Sequence, residues 1–209
     1  MTASSRLVVL GIGNTLNRDE GVGVHAVRAL KAHLTPRPPS HLTPQPPSLP
    51  GKGEPNSPLL VGEGSGVRSL AGEGRRGEVE FLDGGTLGLN LLPIVEEASH
   101  LLILDAVDAH QPPGTVIELA GAEIPLFSGI KLSQHQVTFQ EVLGLAAVRG
   151  KLPPHLHLIG VQPADLAIGL ELSPVVAAAL PEVIRRASTV LAKWLKATEA
   201  VPQSLADSR

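Results

Sequence analysis

The sequence predicts an α/β fold: a mainly parallel twisted sheet with helices on both faces and one strand expected to run antiparallel. Two observations predict it. Short aliphatic runs of strand length, at residues 7–10, 79–82, 101–104 and 156–161, alternate with longer segments of helical apolar spacing. Aromatic residues make up only 2% of the chain (Phe81, Phe127, Phe139 and Trp194), so a chain that is 43% hydrophobic must build its core from Leu, Val, Ile and Ala. Aliphatic strands of this kind suit burial on both faces between helices.

Taken in order, Leu7-Val8-Val9-Leu10 ended by Gly11 reads as a buried first strand. Val22, Ala26, Ala29, Leu30 and Leu34 recur at helical spacing, so the first helix is expected from Glu20 to about Leu34, with Asp19 as its N-cap. Residues 79–82 form a second strand ended by Asp83, and Leu87, Leu91, Leu92 and Val95 define a second helix over 87–98. The run 101–104, ended by Asp105, is a central strand. A further strand is expected at 114–119, after the turn Gln111-Pro112-Pro113. No helix precedes it, so this is the strand expected to run antiparallel. A helix at 136–148, a strand at 156–161 and a long helix from Ser173-Pro174 to about Lys196 complete the order, the last with an N-cap followed by Pro. The tail, residues 197–209, is expected to fray.

The 209 residues read as a single domain interrupted at 35–77. That stretch holds 9 prolines, 8 glycines and no aromatic residue, and HLTPRPPS (33–40) is followed by its near-copy HLTPQPPS (41–48). Such a composition buries too little apolar surface to offset its ordering entropy, which predicts a disordered insertion with no part in the chemistry. Net charge is −3, without a basic block or aromatic platforms, which argues against nucleic-acid binding. Cysteine is absent, excluding a thiol nucleophile, a Cys-ligated zinc and disulfides. No segment approaches the ~18 consecutive apolar residues of a membrane span, and the apolar run near the N-terminus is too short for a signal peptide. A soluble cytoplasmic protein is expected.

In an open α/β sheet the functional groups gather beyond the carboxyl ends of the strands. Strand one leads to Asn14, Asp19 and Glu20; strand two ends at Asp83, strand three at Asp105, and the loop after the next strand carries His135. Gly11 and Gly13 offer two glycines of a dinucleotide loop, with Asp83 as a ribose-binding acid, but Leu16 replaces the third glycine. Asp19 and Glu20 would also repel a pyrophosphate where helix amides should receive it. A nucleotide-binding oxidoreductase therefore ranks second. Glu20, Asp105 and His135 would give a divalent ion such as nickel, zinc or manganese two oxygens and one imidazole nitrogen, with open positions left over. Each has a plainer reading: Glu20 as a dipole partner, Asp105 (like its neighbour Asp108) as a loop cap, His135 as an ordinary loop residue. Their shared sheet edge favours the metal. His155 and His157 share a strand face and could pair on a metal, but at the wrong end of the strand. HExxH and GxSxG are absent, and nothing around Ser128 or Ser133 marks a nucleophile.

The segments LGIGNTLNRDEGVGVHAVRAL (10–30), LDGGTLGLNLL (82–92), LILDAVDA (102–109), SQHQ (133–136) and LIGVQPADL (158–166) together resemble the endopeptidases that complete maturation of the large subunit of nickel-iron hydrogenases. With their helices they cover nearly all of the chain outside the insertion, which is itself a departure from the family pattern. The resemblance implies metal contacts at Glu20, Asp105 and His135, with Asp83 of DGGT as a supporting acid in catalysis. It implies a hydrogenase large-subunit precursor as partner and substrate. That precursor would carry nickel, and zinc or another divalent ion could occupy the site in isolation. A short C-terminal peptide would be removed only when metal is present. A non-catalytic metal-sensing scaffold that binds the precursor without cutting it is the remaining alternative.

Overall fold

Five aliphatic runs pair into one sheet: β1 (Leu7–Ile12), β2 (Val79–Gly85), β3 (His100–Ala106), β4 (Val116–Ala120) and β5 (His155–Val161). Their spatial order is β2-β1-β3-β5-β4, with every pair parallel except β4–β5. The antiparallel strand is thus the one expected near 114–119, and it lies at the sheet edge. The connections are α1 (Val22–Leu34), α2 (Leu92–Glu97), the short α3 (Glu123–Leu126), α4 (Phe139–Val148) and α5 (Pro174–Glu199). In this computed structural model the described residues are 5–35, 78–121, 123–126 and 139–199, all within the unit formed by residues 1–35 and 74–209. Beyond Thr35 the expected insertion lies outside them, as do His135, Ser128, Ser133 and residues 200–209. No helix among the described residues is long and apolar enough to cross a membrane.

Strand alternation divides the core in two. Leu7 and Val9, with Leu102, Leu104 and Ala106, face α1 and α5; Val8 and Leu10, with Leu101, Ile103 and Val107, face α2 and α4. Strand order reverses at β1, which has β2 on one side and β3 on the other. The β1/β3 boundary is therefore the switch point at which an α/β sheet opens a crevice beyond its strand ends.

Several boundaries differ from the sequence reading for local reasons. The segment after β1 enters a 3-10 turn at Arg18–Gly21 before α1 begins at Val22. Gly85 and Gly88 take φ of +43° and +52°. The chain after β2 therefore turns before a 3-10 turn at Gly88–Leu91, and α2 starts only at Leu92. Leu87 and Leu34, read as core positions, are exposed. α3 has no signal in the sequence pattern, and residues 197–199, expected in the frayed tail, continue α5.

Asp19 differs most. It caps nothing in its own helix: the residue before α1 is Gly21, with no side-chain cap. Its carboxylate is buried and accepts the amides of Ala164 (2.9 Å), Asp165 (2.9 Å) and Ser173 (2.7 Å) together with the Ser173 hydroxyl (2.8 Å). Burial pushes this carboxyl up, but the three amides and the hydroxyl outweigh burial and hold it below its ordinary value. The loop after β1 is thereby fastened to the loop after β5.

Two stability outcomes follow from this packing. Asp19→Ala strands four donors and should lower unfolding free energy by about 3 kcal/mol or more, read from the urea midpoint. Because its folded pKa is depressed, the wild-type contribution is present above the unfolded value of 3.8 and is lost as pH falls through that range; the alanine variant should lack that acid slope. Gly23 sits where α1 crosses the sheet, and a Cβ there would overlap the Leu104 and Ile12 carbonyls. Gly23→Ala should therefore cost about 1–3 kcal/mol in the same measurement, and a neutral result would mean the helix stands further from the sheet.

Candidate metal and active site

Three loops converge beyond the carboxyl ends of β1, β3 and β5. The first carries Glu20 on the 3-10 turn Arg18–Gly21, and Asn17 Nδ2 donates to Glu20 Oε2 at 2.7 Å, orienting the carboxylate. The second begins at Asp105, the penultimate residue of β3. The third runs from Gln162 to Ser173 and is held by Asp19. Buried Gln162 joins the last two: its Oε1 accepts the amides of Ala109 (2.8 Å) and Gln111 (3.2 Å), and its Nε2 donates to Asp108 Oδ1 (3.1 Å). Asp108, which also accepts the His110 amide at 3.1 Å, is thus the loop cap expected of it.

Asp105 is 6% exposed and, among the described residues, accepts one hydrogen bond, from the Ala106 amide at 2.7 Å. Burial pushes its carboxyl up to about 8; the Ala106 amide opposes this, and the nearby Glu20 charge adds to it. Two carboxylates therefore meet across the β1/β3 switch point, one of them so poorly solvated that it holds a proton near neutrality. A cation between them would relieve both the burial and the repulsion, and two carboxylate oxygens suit a divalent ion. Among the described residues no three His, Asp or Glu side chains are grouped to hold a metal. Glu20 and Asp105 supply two groups, and His135, the third of the expected set, lies outside those residues. The described chain resumes at Phe139, buried on the sheet face toward which Asp105 also points by strand alternation.

Asp83 lies elsewhere. It pairs in register with Gly11, whose neighbour on β3 is Leu104, so Asp83 and Leu104 share the α1 face while Asp105 takes the opposite one. Its Oδ2 accepts from Arg28 Nη2 of α1 at 2.7 Å, and it is exposed. It is not brought together with Glu20 and Asp105. His155 and His157 sit at the amino end of β5, as the sequence indicates. His155 stacks on His100 with ring centroids 4.1 Å apart, and His157 bonds Glu118 at 2.8 Å. The dinucleotide alternative loses its anion site, because the start of α1 is preceded by a turn bearing two acids, where free amides would be needed. Sequence reasoning missed Gln162 and the long-range role of Asp19; the only signal for either is that both fall in segments carrying the family resemblance.

Comparison with known proteins gives one answer. The family model for hydrogenase maturation proteases matches residues 67–190. The hydrogenase expression/formation protein HupD of Thiocapsa roseopersicina is 36% identical over 196 residues, covering 93% of this chain and 71% of that protein. The hydrogenase 2 maturation protease of Escherichia coli K12 is 30% identical over 199 residues, covering 95% and 96%. Among solved structures, the hydrogenase maturating endopeptidase HybD from E. coli superposes with a TM-score of 0.65 at 29% identity, over 91% of this chain and 94% of that one. The mainly parallel sheet is thus a fold shared with the HybD endopeptidase, and the chain belongs to the hydrogenase maturation protease family of endopeptidases.

Proposed function

We propose that this endopeptidase removes the C-terminal extension of a nickel-loaded large-subunit precursor of a nickel-iron hydrogenase, and that Glu20, Asp105 and His135 engage the metal. The observation that carries the reading is the Glu20–Asp105 pair at the switch point, with the Asp105 carboxyl at about 8. The family names of the relatives support the substrate class. The nickel arrives with the substrate. In isolation the same residues could take zinc or another divalent ion, because two carboxylates and an imidazole form an acceptor set such ions share. A bound divalent ion supplies polarisation of a carbonyl and a lowered pKa for a ligated water.

The chain's own residues do the rest. Glu20, held by Asn17, presents a carboxylate to the crevice. Asp105 keeps its proton until a cation displaces it, so an empty crevice does not accumulate two bare charges. Cleavage would thereby wait for a correctly loaded precursor. Asp83, the supporting acid that the family resemblance implies, is tied to Arg28 on the opposite face. Both proteins would meet in the cytoplasm, in keeping with a chain that has no cysteine.

Incubated with a nickel-loaded precursor, the wild-type protein should convert it to the shortened subunit, seen as a mass shift. Glu20→Gln and His135→Ala should each lower the rate by at least about a hundredfold, the scale for losing a metal-site ligand or its support, with melting temperature retained. Normal processing by either variant rules out the metal role, and binding without cleavage by the wild type would favour a scaffold. A second outcome concerns pH. The folded pKa of Asp105 is raised, so its contribution to stability is fully present below the unfolded value of 3.8 and is lost as pH rises through about 8. Chemical denaturation of the metal-free protein should show this decline, on the order of a few kcal/mol; Asp105→Asn should flatten it.

A further inference from the structure

Four of the ten large apolar side chains exposed among the described residues lie on the two loops that frame Glu20: Leu16 at 60%, Leu166 at 41%, Ile168 at 89% and Leu170 at 69%. Backbone pairing sets Leu16 beside Ile168, and Leu166 and Leu170 flank Ile168 two residues away on the same loop. Asn17 and Gly169 form a parallel bridge, with the Gly169 amide donating to the Leu16 carbonyl at 2.9 Å and the Arg18 amide donating to the Gly169 carbonyl at 2.8 Å. Leu16 therefore runs beside Ile168. Arg18, at φ +35°, is held in a conformation that L-residues seldom adopt. Its guanidinium meets Asp165 at 3.1 Å, which removes net charge from the edge of the patch. Asp19 anchors the arrangement from below through Ala164, Asp165 and Ser173.

We propose that Leu16, Leu166, Ile168 and Leu170 form a preorganised apolar shoulder that grips an apolar segment of the precursor polypeptide next to the bond presented to Glu20 and Asp105. The proposal rests on the processing function given above and names a surface by which the site holds its substrate. Three features select this occupant. The patch is continuous with the Arg18–Gly21 turn that carries Glu20, so whatever lies on it also lies at the crevice. A second copy of this chain docked there would cover the crevice and exclude a protein substrate. The backbone is already fixed by the bridge and by Asp19, so binding costs little ordering, as suits capture of a flexible peptide. Large apolar side chains left exposed close together in this way mark interaction sites.

The test replaces the outermost side chains by charge, in Ile168→Glu/Leu170→Glu, with Val148→Glu on α4 as a control for added charge at an equally exposed apolar position. Processing of the nickel-loaded precursor is followed for each protein as separate KM and kcat values, with melting temperature and sedimentation measured alongside. The double variant should raise KM about tenfold or more, as expected when central apolar contacts are lost. Its kcat should stay within about twofold of wild type and its melting temperature should be unchanged, because a lost docking contact removes binding common to ground and transition states. The control should behave as wild type. An unchanged KM in the double variant, with wild type active, overturns the shoulder and leaves the processing function standing. A dimer that dissociates on substitution while KM stays constant overturns it in favour of self-association. No processing by wild type itself would remove the function and the shoulder together.

Discussion

The carboxyl edge of this sheet depends on one buried carboxylate. Asp19 accepts hydrogen bonds from three backbone amides and one hydroxyl, all from a loop about 145 residues away in sequence. Burying a charge is costly unless its lone pairs are filled, and here three backbone amides and a hydroxyl fill them. The consequence reaches the next residue. Successive side chains on a 3-10 turn point about 120° apart, so once Asp19 is fixed inward, Glu20 must point elsewhere, and Asn17 draws it toward the crevice. A dipeptide of two acids thus divides into an anchor and a carboxylate turned to the crevice, the one proposed above to engage the metal. The same anchor holds the backbone that carries Ile168 and Leu170, so the Glu20 carboxylate and these exposed apolar side chains share one support.

A comparison of Asp19 with Asp105 explains how one protein keeps two buried carboxylates in opposite states. Burial raises both. Asp19 has four donors and ends below its ordinary value. Asp105, the more deeply desolvated, has among the described residues one amide and an acidic neighbour, and is pushed up to about 8. Deeper desolvation and fewer donors together set Asp105 apart from Asp19. The first arrangement is a finished structural contact. The second is an unfinished one, and a site that is unfinished in the folded protein is one that a ligand can complete. Such a group is costly to stability when ionised, the pattern found where function and stability compete.

Much of this edge was legible in the sequence, because the rule used was physical: apolar runs of strand length stop where the chain leaves the sheet, and acids just past the stop collect at one end. Glu20 and Asp105 follow from it directly. The rule does not say which face of the sheet an end residue takes. Asp83 and Asp105 each close a strand, yet pairing sets Asp83 level with Leu104, which turns the two acids to opposite faces. Register is a relation between strands, and no single strand carries it. Asp19 misled for a related reason. An Asp before a helix is a good N-cap on local grounds, whereas its actual partners become neighbours only after β5 has joined the sheet. The delayed start of α2 follows from the positive φ of Gly85 and Gly88, which apolar spacing does not encode.

Gly13 of the first loop has a cause that the phosphate reading does not supply. Gly13 adopts φ of +125°, and a side chain there would overlap the carbonyl of Glu20. The glycine is needed so that the Arg18–Gly21 turn can fold back onto the strand end, which brings Glu20 over the β1/β3 crevice. In a dinucleotide fold the same absence of a side chain admits a pyrophosphate. Here the space is filled by the chain itself, with a carboxylate riding on it. Close backbone approach is therefore what a Gly-x-Gly turn after a strand announces; the charge of the residues that follow determines whether the approaching partner is an anion or the support of a cation site.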